Sequence, residues 1–242
     1  MARIGIIGSE GRMGQALARA IAAAGHDYVG GVDKGGDVAQ LADHSDALVD
    51  FTAPPALEGN LHAAIGAGIP ILVGTTGLEE RHHAAIDSAA LAIPVLQTGN
   101  TSLGVTLLAH LVREAAARLG PEWDIEIVEM HHRMKVDAPS GTALLLGHAA
   151  AQGRGIELGA HSERGRDGHT GARETGAIGF ASLRGGTVAG EHSVILAGDN
   201  ERLTLSHSAE SRMIFAHGAV KGAAWLIGRP PGRYAMGQVL GL

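Results

Sequence analysis

Between Ile125 and Leu146 the chain reads IEIVEMHHRMKVDAPSGTALLL, and this stretch gathers residue types that proton transfer on an anion requires. His131 and His132 are adjacent imidazoles able to donate protons. Lys135 adds a full positive charge four residues beyond His131. Pro139-Ser140-Gly141-Thr142 then opens an apolar helical run over residues 143–151, with Ser140 or Thr142 as its cap. A helix N-terminus presents N–H groups and a partial positive charge, which suits a carboxylate or a phosphate. The reading is a pocket for a small anion on which proton transfer is carried out. Taken singly, paired histidines, a loop lysine and a Pro-Ser-Gly turn are ordinary surface chemistry. Their gathering ahead of one capped helix favours a site. A metal site from Glu129, His131 and His132 reads less well. Neighbouring strand residues point to opposite faces, so His131 and His132 converge on one ion only with difficulty, and no metal is expected.

These residues need a scaffold that holds them at the end of a strand. Ile125, Ile127 and Val128 are β-branched and predict that strand, with the histidines carried out at its end. Asp137-Ala138-Pro139 prevents a helix from starting early, because the residue before a proline is pushed out of the α region.

Upstream, the chain alternates strand and helix. Residues 3–7 read as a strand ending in Gly8. A GSEGRMG turn (residues 8–14) follows, then a helix with Met13, Leu17, Ala20, Ile21 and Ala24 on one face and Gly25 at its end. A second strand over residues 28–32 ends in Asp33. This is the plan of a dinucleotide-binding βαβ unit, with Gly8, Gly11 and Gly14 letting the backbone approach a pyrophosphate and Asp33 accepting from the adenosine ribose. Lys34 beside it leaves both NADH and NADPH open as cofactors. Further strands over 47–51, 71–73 and 93–96 alternate with helices over 54–67 and 79–91. The consequence is a parallel sheet with helices on both faces. Loops 8–14, 74–77 and 98–102 fall at its carboxyl edge, where ligands bind in such sheets. His82 and His83 are placed on an exposed helix face without a role.

Residues 103–119 predict a helix with Leu107, Leu108, Leu111, Val112 and Ala115 on its apolar stripe. Residues 153–175 read as a long polar loop whose arginines either reach an anionic ligand or are solvated. From Ala177 three strands follow without helices between them (AIGFASL, SVILAG, RLTLSHS), which predicts an antiparallel sheet with an open face that a partner subunit would cover. Residues 213–227 are helical, and the last ten residues are expected to dock on the first domain. The fold class expected is therefore α/β: a Rossmann-type parallel sheet, then an α+β domain with an open, mostly antiparallel sheet.

Bulk composition is consistent with this. The 242 residues are 45% hydrophobic and 18% charged, enough for a substantial core. The formal net charge of −6 argues against nucleic acid and against an anionic membrane surface as partners. No apolar run is long enough to span a bilayer, the N-terminus lacks the pattern of a signal peptide, and cysteine is absent. A cytoplasmic protein is expected.

Glu129 to Ala143, EMHHRMKVDAPSGTA, resembles in full the signature E-x-H-H-x-x-K-x-D-A-P-S-G-T-A of the dihydrodipicolinate reductase (4-hydroxy-tetrahydrodipicolinate reductase) family of lysine and diaminopimelate biosynthesis. The resemblance extends to GSEGRMG, to DFT at 50–52, to GTTG at 74–77, and to residues 178–192 and 211–225, in the family's order. It departs at residues 98–102, Thr-Gly-Asn-Thr-Ser where the family often has Ala-Pro-Asn-Phe-Ser, and in a short segment after Asp33.

The resemblance implies an NADH- or NADPH-dependent reduction of 4-hydroxy-tetrahydrodipicolinate, by way of dihydrodipicolinate, to tetrahydrodipicolinate. His131 would be the general acid and Lys135 the proton donor. His132, Ser140, Gly141, Thr142 and Thr76 would bind substrate. The dinucleotide would be held by Gly8, Ser9, Glu10, Gly11, Arg12, Met13, Asp33, Lys34, Gly74, Thr75, Thr76, Thr98, Gly99, Asn100 and Thr101. The resemblance further implies a dinucleotide domain of residues 1–102 and 213–242, a substrate and oligomerisation domain of residues 103–212, hinges near Leu103 and Arg212, and a homotetramer. Two rival readings are a non-catalytic dinucleotide-binding redox sensor and another two-domain nicotinamide dehydrogenase. Neither accounts for the full match at residues 129–143.

Overall fold

Strand and helix alternate through the first hundred residues: β1 (Arg3–Ile7), α1 (Arg12–Ala23), β2 (Asp27–Val32), α2 (Val38–Asp43), β3 (Ala47–Asp50), α3 (Leu57–Ala67), β4 (Ile71–Val73), α4 (Glu80–Ala89) and β5 (Pro94–Gln97). Then come α5 (Leu103–Leu119), β6 (Asp124–His131), α6 (Gly141–Arg154), α7 (Leu158–His161), β7 (Ser162–Glu163), β8 (Ile178–Arg184), β9 (Glu191–Gly198) and β10 (Glu201–Ser208). The chain closes with α8 (Met213–Leu226), β11 (Gly232–Tyr234) and α9 (Met236–Val239). The computed structural model describes residues 1–242, which form two units: Met1–Leu103 with Arg212–Leu242, and Gly104–Ser211. No helix is long and apolar enough to cross a membrane.

In the first unit six strands form one parallel sheet in the order β11-β5-β4-β3-β1-β2. The chain runs outward from β1 in both directions, so the strand order reverses beside β1, and the loops after β1 and β3 flank that point. Buried Leu17, Ala20 and Ile21 of α1 and Ala216, Ala219, Ala223 and Leu226 of α8 cover one face of the sheet with Ile4, Ile6, Val49 and Leu72. On the other face Leu57, Leu61, Ala64 and Ile86 pack on Leu48, Ile71, Val73 and Val95. Gly218 lets α8 lie directly on the loop after β5, since a Cβ there would overlap the Thr101 carbonyl. Residues 34–46, too short to announce an element, hold α2, capped by Asp37 accepting from the Gln40 N–H at 3.0 Å.

In the second unit the sheet order is β10-β9-β6-β8-β7. Strand β9 is antiparallel to both of its neighbours, β10 and β6, whereas β8 is parallel to β6 and β7 parallel to β8. The consecutive strands β8 and β9 do not pair with each other; β6 lies between them. A strand from outside the run thus takes the centre of the sheet, and the motif it carries gains a neighbour on each side. One face is covered by α5 and α6 through Leu108, Val112, Leu146 and Ala150, packed on Ile125, Ile127, Val194 and Leu196.

Three local expectations change. The buried stripe of α5 is Val105, Leu108, Val112 and Ala116, while Leu107 and Leu111 are exposed. The helix is apolar on more than one side, so periodicity alone did not select the face. Residues 153–175 are not one loop: α6 runs on to Arg154, and α7 and β7 follow. His82 is buried, and its Nδ1 accepts from the Glu79 N–H at 2.8 Å to cap α4.

Candidate active site

In the first unit, β1 ends at Ile7 and the chain turns at Gly8, whose φ of +91° strongly favours glycine. The Gly8 N–H donates to the Val32 carbonyl at 2.8 Å, tying the turn to the end of β2. Gly14 is buried, and a Cβ there would lie 2.3 Å from the Gly8 carbonyl oxygen and 2.4 Å from that of Ser9. Only glycine lets α1 pack this closely under the loop. The N-cap of α1 is Gly11, which offers no side-chain acceptor to the first-turn N–H groups. That end of the helix is suited to an external anion. Ser9 Oγ donates to Asp33 Oδ2 at 2.6 Å and the Glu10 N–H donates to the same carboxylate at 3.1 Å. Asp33 therefore stands beside the glycine loop, as a ribose-binding carboxylate must, while Glu10, Arg12 and Lys34 are exposed around it.

The loops after β3, β4 and β5 meet in a cleft of about 280 Å³ lined by Met13, Phe51, Thr52, Thr76, Gly99 and Asn100 among others. Buried Asp50 ties two of these loops together, accepting from Thr52 N–H at 2.9 Å, Thr52 Oγ1 at 2.6 Å and Thr75 Oγ1 at 3.2 Å. Asn60 Nδ2 donates to its other oxygen at 3.1 Å. The Phe51 ring occupies the space a side chain at Gly74 would need, with its nearest atom 2.4 Å from the Cβ position. Thr98 Oγ1 donates to the Asn100 carbonyl at 2.8 Å, and Asn100 Oδ1 accepts from the Ser102 N–H at 2.9 Å. The hydroxyls of Thr75 and Thr101 are engaged inside the protein, that of Thr101 with the Phe215 carbonyl at 2.7 Å. Both residues contribute wall rather than a free hydroxyl. Uncapped helix, close-packed glycines and adjacent carboxylate together fit a dinucleotide.

In the second unit, β6 alternates buried and half-buried residues to its end, so Glu129 and His131 continue the inward face of Ile125 and Ile127. Glu129 is 1% exposed. Its Oε2 lies 2.5 Å from His131 Nδ1. Arg184 grips the carboxylate with two parallel bonds of 2.8 Å, and the Ser140 N–H reaches Oε1 at 3.3 Å. Burial alone would raise the Glu129 carboxyl; the hydrogen bonds from Arg184, His131 and Ser182 overcome it and bring the carboxyl down to about 2. Register explains the meeting: Arg184 pairs with His131 and Ser182 with Glu129 across β8, and His192 pairs with Glu129 across β9.

Ser140 is the N-cap of α6. Its Oγ accepts from the Ala143 N–H at 3.1 Å and lies 3.0 Å from His192 Nε2. Because it is buried, its contribution to an anion site is to set the helix N-terminus at Gly141 and Thr142. His132 is half-buried on the alternate phase of the strand. Lys135 Nζ donates to Asp137 Oδ1 at 2.7 Å. At His131, the Nε2 edge faces Gly190, where a Cβ would come within 3.0 Å. No group of three or more histidine, aspartate or glutamate side chains is placed to hold a metal ion. Arg166 and Arg173 pair with Glu126, Glu163 and Asp124.

Sequence reading named the histidines, the lysine and the Ser140 cap, of which the structure shows the cap, but it did not name Arg184, Ser182 or His192, which the sheet places around Glu129. Arg184 and His192 lie 55 and 63 residues from Glu129 in sequence. They stand inside the 178–192 stretch that carried part of the resemblance, yet no spacing marked them.

Residues 2–101 match the family model "Dihydrodipicolinate reductase, N-terminus" and residues 104–240 the model "Dihydrodipicolinate reductase, C-terminus". The chain is 53% identical to the 4-hydroxy-tetrahydrodipicolinate reductase of Zymomonas mobilis and 52% identical to that of Rhodopseudomonas palustris, in each case over 99% of this chain and 97% of the relative. Among solved structures, a dipicolinate-bound dihydrodipicolinate reductase from Paenisporosarcina sp. superposes with a TM-score of 0.77 at 21% identity, covering 97% of both chains. A diaminopimelate dehydrogenase from C. glutamicum shares the fold at a TM-score of 0.58 and 14% identity.

Proposed function

The chain belongs to the dihydrodipicolinate reductase family, an oxidoreductase family of lysine biosynthesis that uses a nicotinamide cofactor, and we propose that it reduces 4-hydroxy-tetrahydrodipicolinate, by way of dihydrodipicolinate, with His131 and Lys135 handling the protons. One observation carries the reading: the family's histidine is built into a buried network in which Glu129 holds Nδ1 and leaves Nε2 facing Gly190, which has no side chain.

Residues 8–13 hold the pyrophosphate on the N-terminus of α1, and Asp33 takes the adenosine ribose, with Lys34 beside it. Residues 74–76 and 98–101 hold the nicotinamide end. When bound, the nicotinamide supplies hydride to C4 of the unsaturated ring.

Reduction at C4 leaves an enamine that must gain a proton. Glu129 accepts from His131 Nδ1, so Nε2 is the nitrogen that gives the proton up. Lys135 exchanges its contact with Asp137 for the substrate, neutralising a carboxylate, and acts with His131 in delivering that one proton. Gly141 and Thr142, set by the Ser140 cap, hold one carboxylate on the positive end of α6. His132 binds the ring, and Thr76 the far end. The same proposal assigns dinucleotide binding to residues 1–102 with 213–242, and substrate binding and assembly of a homotetramer to residues 103–212.

The test is oxidation of NADH and of NADPH, followed by the absorbance of the reduced nicotinamide, with substrate formed in place by a coupled synthase from pyruvate and aspartate semialdehyde. Oxidation that depends on the synthase product is the expected result. Folded, nucleotide-binding protein that oxidises neither cofactor would overturn the proposal. Lys135→Ala and His131→Ala variants that bind nucleotide but turn over normally would overturn the residue roles.

A further inference from the structure

We infer that His192 is a positioning residue that couples the proton-donating His131 to the anion-binding N-terminus of α6, through the hydrogen bond between its Nε2 and the Ser140 hydroxyl. The inference rests on the reductase reading for the identity of the anion.

His192 is 5% exposed, so it acts through other groups. Its ring stands edge-on to that of His131 with centroids 5.1 Å apart and planes at 74°. Its Nδ1 is buried and makes no hydrogen bond, so its ring nitrogens engage Ser140 alone. Ser140 Oγ accepts from the Ala143 N–H and has one O–H donor and a second lone pair left, so it can pair with His192 Nε2. The result is a chain from the Ala143 N–H through Ser140 Oγ to His192 Nε2, whose far end packs against His131. The same Ser140 donates its N–H to Glu129, which holds His131 from the other side. His131 and the start of α6 are thereby closed into one ring of contacts, and a shift of either moves the other.

His192 is held as a neutral ring by its surroundings. The charged and titratable groups around it are His131 and Glu129 on β6, His207 on β10 and Lys135 on the loop after β6. Burial, then His131, lower its pKa to about 4, which keeps the ring uncharged at neutral pH.

The experiment compares His192→Leu, which removes Ser140's partner, with His192→Gln, whose amide restores a hydrogen-bonding group near the Nε2 position, in the coupled reductase assay and in direct binding of dipicolinate. His192→Leu is expected to raise KM for the dicarboxylate substrate and the dipicolinate Kd about tenfold, with NADH affinity unchanged, and His192→Gln to recover most of both. Ser140→Ala breaks the same bond from the other end. It is expected to give a similar shift, with the double variant adding little, and it serves if His192→Leu does not fold. Unchanged dipicolinate affinity in His192→Leu, or a His192→Gln variant as impaired as the leucine, overturns the inference. Wild-type protein without turnover overturns the reductase reading instead, and dipicolinate binding still decides the role of His192.

Discussion

Glu129 Oε2 stands 2.5 Å from His131 Nδ1, and the other edge of the same carboxylate is gripped by Arg184. A carboxylate in this position fixes the tautomer of the imidazole and leaves Nε2 to exchange the proton. Glu129→Gln keeps the shape and loses the charge. We expect kcat to fall on the order of a hundredfold with little change in cofactor KM. A kcat equal to wild type would show that His131 needs no such partner. Arg184→Met leaves the buried carboxylate without its cation and is expected to destabilise the fold by about 3–5 kcal/mol, read from urea unfolding.

Acid should weaken the second unit in two steps. Burial and the neighbouring His131 depress His192 from 6.5 to about 4, so the unfolded chain takes up this proton before the folded one does. Its contribution is complete above 6.5 and is lost as pH falls towards 4. Glu129 is depressed from 4.5 to about 2, so its contribution is complete above 4.5 and is lost as pH falls towards 2. Each shift corresponds to on the order of 3 kcal/mol. Urea midpoints measured from pH 8 down to 4 should therefore decline below 6.5, and His192→Gln should flatten that decline. An equal decline in the variant would assign the upper step elsewhere.

The contact between α1 and the glycine loop leaves no room for a methyl group, because the atoms facing Gly14 are backbone carbonyls. Gly14→Ala must push the loop off the helix. Weakening of NADH binding by at least about tenfold is expected, measured by fluorescence titration, together with a lower thermal midpoint. Normal affinity would mean that the loop does not hold the pyrophosphate.

Asp33 accepts from Ser9 and Glu10 beside the glycine loop, and the proposed function assigns it the adenosine ribose. Asp33→Ala removes both the ribose acceptor and the charge that opposes a 2′-phosphate. The ratio of kcat/KM for NADPH to that for NADH should rise about tenfold. An unchanged ratio would place the ribose against other residues.

What was legible in the sequence was local. The Ser140 cap, the strand that delivers His131, the glycine turn and the βα alternation each depend on neighbours a few residues away, where backbone preference and hydrophobic spacing act directly. Spacing failed where several answers satisfied it equally. On α5 it could not choose between Leu107 with Leu111 and Val105 with Ala116. On α4 it read His82 as surface, although the side chain turns back to cap its own helix.

Tertiary structure decided what surrounds the residues proposed for proton transfer. Their types and spacing were written in residues 129–142, but their environment comes from β8 and β9, which lie more than forty residues downstream and flank β6 only because the sheet order inserts it between them. Strand pairing is a choice among distant segments, made by the summed burial of a whole face rather than by any residue's own preference. That choice sets Arg184 and Ser182 on one side of the Glu129–His131 pair and His192 on the other. It turns a run of polar residues into a buried carboxylate held far below its ordinary range and a histidine held neutral.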